Sequence, residues 1–313
     1  MFRKRTVPPD HPAFAELPAQ LFAVGRAGEQ MAVHVSGQLR IGQPPLVCVA
    51  GYQRNMSDFA DFLVQFRRGS GGDWPVVLID LKGRGRATDR ADKAGYITTI
   101  DAGDIWQLCS ALGIESAILL GQGYGGQAVM ALAAQRPMLV AGAILVDAGP
   151  VSDTRGLVRL RNNLTEFDEV RSQAGLRTMF RRVLASAYPG IPDAMLDVLA
   201  ARTHYLDRRG RLRALFDRHL IKMLANFEHD DVLVAQWPLF HALDGVPLML
   251  MRTQLTDQLR RETFEEMLRR RRDAQGFVVE GQGSPPLFNT SDEVEPIAGF
   301  VREVARGRSS AAA

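Results

Sequence analysis

The sequence predicts an α/β protein built on one mostly parallel, doubly wound sheet of about eight strands. Continuous apolar runs that end in glycine or aspartate alternate with segments of helical periodicity, and this alternation is typical of βαβ units. The alternation stops after Pro150 and returns near residue 246. We therefore expect a long helical insertion within an otherwise continuous sheet.

The predicted elements follow one another in a regular order. "LFAVG" and "MAVHVSG" predict an opening hairpin. Buried inner strands are predicted near residues 46–51, 75–80, 116–121 and 142–147, separated by helices at 57–67, 100–112 and 124–136. After the insertion the predicted elements are strands at 246–251 and 276–281 and helices at 258–272 and 292–306.

This order divides the chain into a core, residues 20–152 and 237–306, and an insertion, residues 153–236. The insertion shows only helical periodicity and no strand-like run. We expect it to form a helical cap over the carboxyl edge of the sheet, where α/β proteins bind ligands. Residues 1–19 and 307–313 are predicted to be extended termini.

Composition limits the class of protein. The chain is 46% hydrophobic, has a formal charge of +3 and contains no run of apolar residues long enough to span a membrane. Neither nucleic acid nor a membrane is therefore a predicted partner. The first residues lack the apolar stretch of a secretory signal, and Cys48 and Cys109 lie inside apolar patterns. These features predict a cytoplasmic protein with reduced cysteines.

The stretch "LLGQGYGGQAVM" (119–130) allows two interpretations. Gly121, Gly123 and Gly126 spell the G-x-G-x-x-G turn of dinucleotide-binding proteins, and Asp147 follows at the spacing of a ribose-binding acid. That fingerprint belongs to the first βα turn of its domain, however, and here several predicted strands precede it. The other interpretation is a nucleophile elbow, G-x-S-x-G, in which glycine has replaced the serine.

Five segments in the same order favour the elbow, because the chain resembles the α/β-hydrolase fold family over residues 20–305. The segments are Gly51-Tyr52 after "LVCVA", "DLKGRGRATDR" with Lys82 and Ala87 as departures, "LLGQGYGG", "WPLFHALDGVPLMLMRTQLTD" and "VVEGQGSPPL".

The resemblance implies a catalytic triad with two of its members replaced. Gly123 stands at the serine position, Ser284 at the histidine position and Asp257 at the acid position. Glycine has no atom that can attack, and a serine hydroxyl cannot act as a general base near neutral pH. Asp257 has a second interpretation, as the N-cap of the helix predicted from residue 258.

What the resemblance retains is a binding apparatus. The backbone N–H groups of Tyr52, after Gly51, and of Tyr124 match the oxyanion hole, and Arg252 is placed to meet an anionic ligand or to pair with a neighbouring acid. We therefore expect a non-hydrolytic protein that binds a small ligand, with an anionic one as an option, in the pocket between cap and core, or that binds a partner protein. The alternative is a hydrolase or lyase acting through a non-standard site in the same pocket.

Neither a cofactor nor a metal is predicted. His229 with Asp230 and Asp231 has metal-like composition, but three adjacent residues cannot face one ion, so we expect a solvated turn. The run Arg269–Arg272 closes a predicted helix, where cations suit the carbonyl end. A basic patch for a partner is the alternative there.

Overall fold

The computed structural model describes the backbone of residues 5–311 and the side chains of residues 5–307. Ten strands occur in this range: β1 (Gln20–Ala23), β2 (Gln30–Ser36), β3 (Leu46–Val49), β4 (Val76–Asp80), β5 (Ala117–Gln122), β6 (Val140–Val146), β7 (His204–Leu206), β8 (Leu212–Ala214), β9 (Leu248–Thr253) and β10 (Gln275–Val279).

Eight of these strands form one sheet in the order β1-β2-β4-β3-β5-β6-β9-β10. β2 runs antiparallel to β1 and β4, and the other neighbouring strands are parallel. The predicted inner strands β3, β4, β5 and β6 are neighbours and are fully buried. The predicted fold class and sheet are therefore confirmed.

Ten α-helices occur among the described residues; four of them lie in the insertion, residues 153–236, and the other six flank the sheet. In chain order the ten are α1 (Ala60–Arg68), α2 (Thr98–Ala111), α3 (Tyr124–Gln135), α4 (Thr154–Glu169), α5 (Gln173–Leu184), α6 (Asp193–Ala201), α7 (His219–Met223), α8 (Trp237–His241), α9 (Arg261–Arg270) and α10 (Ser291–Ala311).

Alternate residues of the inner strands divide the interior into two cores. Val47 and Val49 of β3 pack in the core that contains α2, α3 and α9, whereas Leu46 and Cys48 pack in the core that contains α1 and α10. This is the period-two alternation of a strand that is buried on both faces. Because β3, β4, β5, β6, β9 and β10 are parallel, their carboxyl ends lie at the same edge of the sheet.

The insertion differs from its prediction in two respects. Residues 224–236 form turns and loops without a helix, and β7 and β8 form an antiparallel hairpin where only helices were expected. The hairpin strands are three residues each, too short to produce a readable alternation in the sequence. Directly after the hairpin, the carbonyl of Leu215 accepts a hydrogen bond from the N–H of Gly85, in the core loop after β4, at 2.7 Å. The insertion is thus tied to the core through backbone hydrogen bonds.

The termini also depart from the extended conformation that was predicted for residues 1–19 and 307–313. The α10 helix continues to Ala311, and residues 12–14 form a short 3-10 helix. Phe14 and Leu17 are buried against the core of α1 and α10. Residues 1–4, 312 and 313 lie outside the described residues. In the described part of the chain, no helix is both long and apolar enough to cross a membrane.

The β5–α3 connection depends on two glycines, Gly121 and Gly125, because backbone packs on backbone there. A Cβ at Gly121 would lie 2.5 Å from the backbone of Gly126, and one at Gly125 would lie 2.7 Å from the carbonyl oxygen of Ala50. Neither neighbour is a side chain that can rotate away. Helix α3 can therefore lie this close to β3 and β5 only with glycine at these positions.

We expect Gly125→Ala to destabilise the protein by about 1–3 kcal/mol, because the new methyl group forces the elbow and β3 apart. Gly103→Ala is the matched control, since a Cβ there meets only the end of Gln135 at 4.0 Å within helix α2. This control should be neutral or more stable by up to about 1 kcal/mol. Urea unfolding followed by circular dichroism measures both, and equal stability of the two variants would contradict the packing argument.

Candidate functional site

The turn between β5 and α3 has the backbone of a nucleophile elbow. Gly123 lies there with φ 49° and ψ −113°, a conformation that L side chains rarely adopt. Its N–H bonds the carbonyl of Val146 at 2.8 Å, and its carbonyl accepts the N–H of Gly126 at 3.0 Å. The turn is therefore retained although glycine supplies no nucleophile.

Two backbone donors flank this turn. Within the described residues, the backbone N–H groups of Tyr52 and Tyr124 have no hydrogen-bond acceptor. The two tyrosine rings pack edge to face with their centroids 5.2 Å apart. The Tyr124 hydroxyl donates to Asp101 at 2.7 Å, and the Tyr52 hydroxyl donates to the carbonyl of Leu220 at 3.0 Å. Both residues are held in place by their side chains, and their N–H groups remain free to bind an oxygen atom.

Arg84 fixes the position of the first of these donors. The side chain is fully buried, and its Nε donates to the carbonyl of Tyr52 at 2.7 Å. The guanidinium carbon lies 5.2–5.7 Å from the ring centroids of Tyr52, Tyr96 and Tyr124. Cation–π attraction therefore adds to the hydrogen bond in orienting the loop that follows β3.

Lys82, a departure from the family segment, is part of a buried ionic network. Its ammonium group pairs with Glu29 at 2.8 Å and with Asp104 at 3.1 Å. Arg90 pairs with Asp104 at 2.5 Å and with Asp101. A buried cation requires such partners, and Glu29 and Asp104 supply them. The lysine is accommodated by its surroundings and lies away from the elbow turn.

Ser284 faces Asp147, at the carboxyl end of β6. Asp147 is 1% exposed and accepts hydrogen bonds from the N–H and the hydroxyl of Thr253, each at 2.8 Å. Burial raises the pKa of Asp147 to about 6, and the hydrogen bonds from Thr253 and Ser284 oppose that rise. Asp147 also has a positive φ of 49°, and strain of this kind in a non-glycine residue is typical of functional sites.

Asp257 is not the acid that faces position 284, contrary to the expectation from the resemblance. Its carboxylate pairs with Arg159 of α4 at 2.9 Å, and its side chain is 41% exposed. Its interpretation as a helix cap is wrong as well, because α9 begins at Arg261 with Arg260 at the N-cap. The loop after β9 turns Asp257 towards the insertion and away from the interior.

The neighbour of Asp257 lies over the elbow instead. A Cβ built on Gly123 would be 2.5 Å from Oε1 of Gln258, and apart from residues 122 and 124 no other described residue comes within 4 Å of it. Gln258 is an exposed residue, and its side chain takes part in no hydrogen bond among the described residues. The space next to the elbow is thus occupied by an uncharged carboxamide.

The loop that carries Ser284 packs against the insertion. The N–H of Gly283 bonds the carbonyl of Ala187 at 2.6 Å, and the Tyr188 hydroxyl donates to the carbonyl of Pro285. A Cβ at Gly283 would lie 2.6 Å from the Cβ of Ala187. The turn between α5 and α6 therefore positions Ser284 from the side of the insertion.

Two buried polar groups near the elbow lack partners. Gln122, directly before Gly123, is 1% exposed, and neither atom of its carboxamide has a hydrogen-bond partner. The same is true of Nη2 of Arg84, within the part of the chain that the structure describes. Buried groups of this kind are normally satisfied. A polar molecule bound beside the elbow would supply what they lack.

The arginines proposed from the sequence are mostly engaged. Arg252 donates to the carbonyls of Leu259 at 3.0 Å and Gln254 at 3.2 Å, so it supports its own loop, and it makes no ion pair with an acid among the described residues. In the run Arg269–Arg272, Arg271 is buried and bonds two carbonyls, while Arg269 and Arg270 pair with Glu266. A free basic patch is not formed by these three residues.

Cysteine chemistry is not available at this site. Cys48 and Cys109 are both free thiols and buried, and burial raises the pKa of Cys109 to about 12. Among the described residues, no three His, Cys, Asp or Glu side chains come together as metal ligands.

Two surface cavities lie away from the elbow. One of about 500 Å³ is lined by residues that include Trp106 and Arg136. The other, of about 690 Å³, lies between the N-terminal segment, α5 and α6 and includes His11 and His204. Neither is lined by Gly123, and the ligand space between insertion and core stays a prediction.

Sequence reasoning considered Asp147 only as a ribose-binding acid, in the dinucleotide interpretation, and missed Gln258 altogether. Asp147 did carry a signal, because an aspartate ends the apolar run "AILVD" and strand ends of a parallel sheet share one edge. Gln258 carried none, since the path of the loop after β9 brings it over Gly123 and no spacing rule describes such a loop.

Comparisons with known proteins agree with this architecture. Residues 44–185 match the family model described as the alpha/beta hydrolase fold. A 3-hydroxybutyrate-oligomer hydrolase from Cupriavidus necator is 26% identical over 258 residues, which cover 78% of this chain and 83% of that protein.

Solved structures extend the likeness to nearly the whole chain. An alpha/beta hydrolase from Novosphingobium aromaticivorans has a TM-score of 0.80 and 25% identity, with 92% of this chain and 99% of that one covered. An N-acyl homoserine lactonase, solved as a serine-to-glycine mutant complexed with N-hexanoyl homoserine lactone, has a TM-score of 0.66 and 17% identity, with 93% and 99% covered. With its eight-stranded sheet, elbow turn and helical flanks, the protein has the α/β-hydrolase fold, and its residues 44–185 match that family.

Proposed function

We propose that this protein binds a small molecule with an acyl or carboxyl group at the elbow and does not process it through a serine nucleophile. The observation that carries the proposal is Gly123 itself, which keeps the elbow conformation and removes the attacking atom. The ligand would lie between the core and the insertion. This is the binding role that the sequence favours, with the ligand class made more specific.

The free N–H groups of Tyr52 and Tyr124 support an oxygen-bearing ligand. One donor at the N-terminus of α3 and one in the loop after β3 can bind a carbonyl or carboxylate oxygen together, whether or not a nucleophile stands beside them. Gln122 and Nη2 of Arg84 add buried polar atoms that such a ligand could satisfy. An acyl group therefore fits the site better than a purely apolar molecule.

A serine-to-glycine substitution is compatible with ligand binding in one protein of this fold. The lactonase structure described above is a serine-to-glycine mutant in complex with its lactone. In the present protein, glycine stands at position 123 of the unmodified sequence, within "GQGYGG". We take N-hexanoyl homoserine lactone and the linear dimer of 3-hydroxybutyrate, an ester related to the name of the Cupriavidus necator protein, as probes and call them the acyl probes.

A second candidate is hydrolysis through Asp147, and the hydrolase names of the relatives favour it. In this route water adds to the ester carbonyl and passes a proton to the hydroxyl of Ser284, whose own proton moves to the Asp147 carboxylate. The oxyanion would lie at the Tyr52 and Tyr124 N–H groups, and the departing alkoxide would take up the transferred proton. A carboxylate with a pKa near 6 is a suitable base at neutral pH.

The binding proposal predicts ligand recovery without turnover. The purified protein should bind the acyl probes in calorimetry, release them unchanged in mass spectrometry, and show no labelling by fluorophosphonates, which require an activated serine. Gly123→Leu should abolish binding by filling the site. Gly113→Leu is the matched control, since Gly113 also has a positive φ but has open space around its Cβ position. Fluorophosphonate labelling of the unmodified protein would overturn the proposal.

Rebuilding the triad tests which acid belongs to it. Gly123→Ser with Ser284→His should restore measurable ester hydrolysis, whereas either change alone should not, because nucleophile and base act as a unit. Adding Asp147→Asn should lower the restored rate by about 10²–10⁴-fold. Asp257→Asn is the control and should leave it nearly unchanged, because Asp257 pairs with Arg159. Dependence on Asp257 instead would show that the loop after β9 rearranges.

The second candidate makes a prediction about pH. Any hydrolysis by the unmodified protein should fall about tenfold per pH unit below pH 6 and level off above it, because the base must be ionised and burial raises the pKa of Asp147 to about 6. Ester hydrolysis measured between pH 4.5 and about 8 tests this. Asp147→Asn should remove the activity at every pH. Hydrolysis that persists in that variant would exclude Asp147 as the base.

A further inference from the structure

We infer that Gln258 is a side-chain gate at the elbow, whose carboxamide occupies in the free protein the place of the ligand's acyl group and swings out when the ligand binds. This inference rests on the proposed function. It assigns to the loop after β9 a role in ligand entry, through a residue of that loop that bears no charge.

The position of the carboxamide is the first support. Oε1 of Gln258 lies 2.5 Å and its Cδ 3.7 Å from the point where a Cβ of residue 123 would stand. An acyl group held by the Tyr52 and Tyr124 N–H groups must also lie next to the elbow, since these donors flank it. Two groups cannot share that space. A ligand that reaches the elbow therefore displaces the carboxamide.

The freedom of the side chain is the second support. The Gln258 residue is exposed, and its carboxamide has no hydrogen-bond partner among residues 5–307. Rotation away from Gly123 therefore breaks no protein hydrogen bond and exposes the carboxamide to water, where it is fully solvated. The gate can open at small energetic cost.

The backbone around Gln258 is held on both sides, so the motion is confined to the side chain. Asp257 pairs with Arg159 at 2.9 Å, and Arg260 pairs with Asp153 at 2.6 Å. Both partners, Arg159 and Asp153, belong to α4 or its N-cap. These two pairs attach the loop to the insertion at the residues on either side of Gln258 and Leu259.

Buried contacts complete the support of the loop. Leu259 is 1% exposed, and its Cδ1 would lie 2.9 Å from a Cβ at Gly149. The carbonyl of Leu259 accepts a hydrogen bond from Nε of Arg252 at 3.0 Å. Arg252, expected from the sequence to meet an anion, thereby supports this loop.

The chemistry of the gate indicates the class of ligand. A carboxamide is planar and presents a carbonyl oxygen, as an ester, a lactone or a carboxylate does. A group of that shape already fits the space beside Gly123. Neutral and anionic acyl compounds should therefore compete with the Gln258 carboxamide for one position, whereas a ligand without a carbonyl should not.

Removing the gate should tighten binding. While the Gln258 carboxamide fills the site, a ligand can bind only to the fraction of molecules in which the side chain has swung out. The apparent affinity is weakened in proportion to that fraction. We expect Gln258→Ala to bind the acyl probes about 3- to 10-fold more tightly in isothermal calorimetry, the size of effect that ordering or releasing one side chain produces.

Gln254→Ala is the matched control in the same loop. Oε1 of Gln254 accepts the N–H of Gly281 at 2.8 Å, so its side chain is committed away from Gly123. This variant should bind the acyl probes like the unmodified protein. Unchanged or weaker binding by Gln258→Ala would overturn the gate, because the carboxamide would then be neutral or a ligand contact.

A measurement without ligand separates this inference from the proposed function. Gly123→Ala adds a single methyl group, which must displace Oε1 of Gln258. The side-chain amide signals of Gln258 in nuclear magnetic resonance should shift in this variant, and those of Gln254 should not. Unshifted Gln258 signals would overturn the gate. A clear shift, with no binding of either acyl probe to any variant, would support the contact and contradict the proposed function.

Discussion

The sharp turn at Gly123 is the constraint on which the rest of the site depends. The chain must leave β5 and enter α3 within one residue, at a positive φ that side chains rarely adopt. Gly121, Gly125 and Gly126 let the helix lie directly on the strands behind the turn. The helix N-terminus is thereby brought to the carboxyl edge of the sheet, where the ends of β6 and β9 also lie.

The loop after β3 is held against this turn by buried charge. Arg84 bonds the carbonyl of Tyr52 and lies among three tyrosine rings, and Asp101 joins Arg84, Arg90 and Tyr124. Buried charges are stable only in such paired arrangements, and loss of one partner is costly. The network therefore fixes the two donors of the site relative to each other without any contribution from a catalytic residue.

The absence of serine from this turn changes the energetics of the position. A side chain at a positive φ is strained, and the elbow of a serine hydrolase holds its nucleophile in such a strained turn. Glycine adopts the same conformation without strain. The elbow is consequently retained at less cost, and the space beside it becomes available to Gln258 or to a ligand.

The similarity to hydrolases favours hydrolysis, whereas the side chains at the elbow favour binding without a serine nucleophile. The relatives carry hydrolase names, and the fold is theirs. Fold alone does not assign chemistry, which depends on the side chains at the site. Asp147 is the feature that could reconcile the two, because it is buried beside Thr253 and burial raises its pKa to about 6, near the pH at which a base must work.

The sequence alone determined the fold and the glycine-rich turn between β5 and α3. Apolar runs indicate strands buried on both faces, and glycines indicate close backbone approach. Both patterns are visible in a short stretch of sequence, without knowledge of the tertiary contacts. Gly123 and Ser284 could be identified because each lies next to such a signal. The position of a missing serine is fixed by the turn that would carry it.

Tertiary structure alone decided which acid faces Ser284 and what fills the space at Gly123. Asp147 and Asp257 both follow core strands, and spacing does not distinguish them. The path of the loop after β9, held by Arg252 and by two ion pairs to α4, turns Asp257 outward and Gln258 over the elbow. Such long-range contacts join residues about a hundred positions apart, and no local pattern in the chain records them.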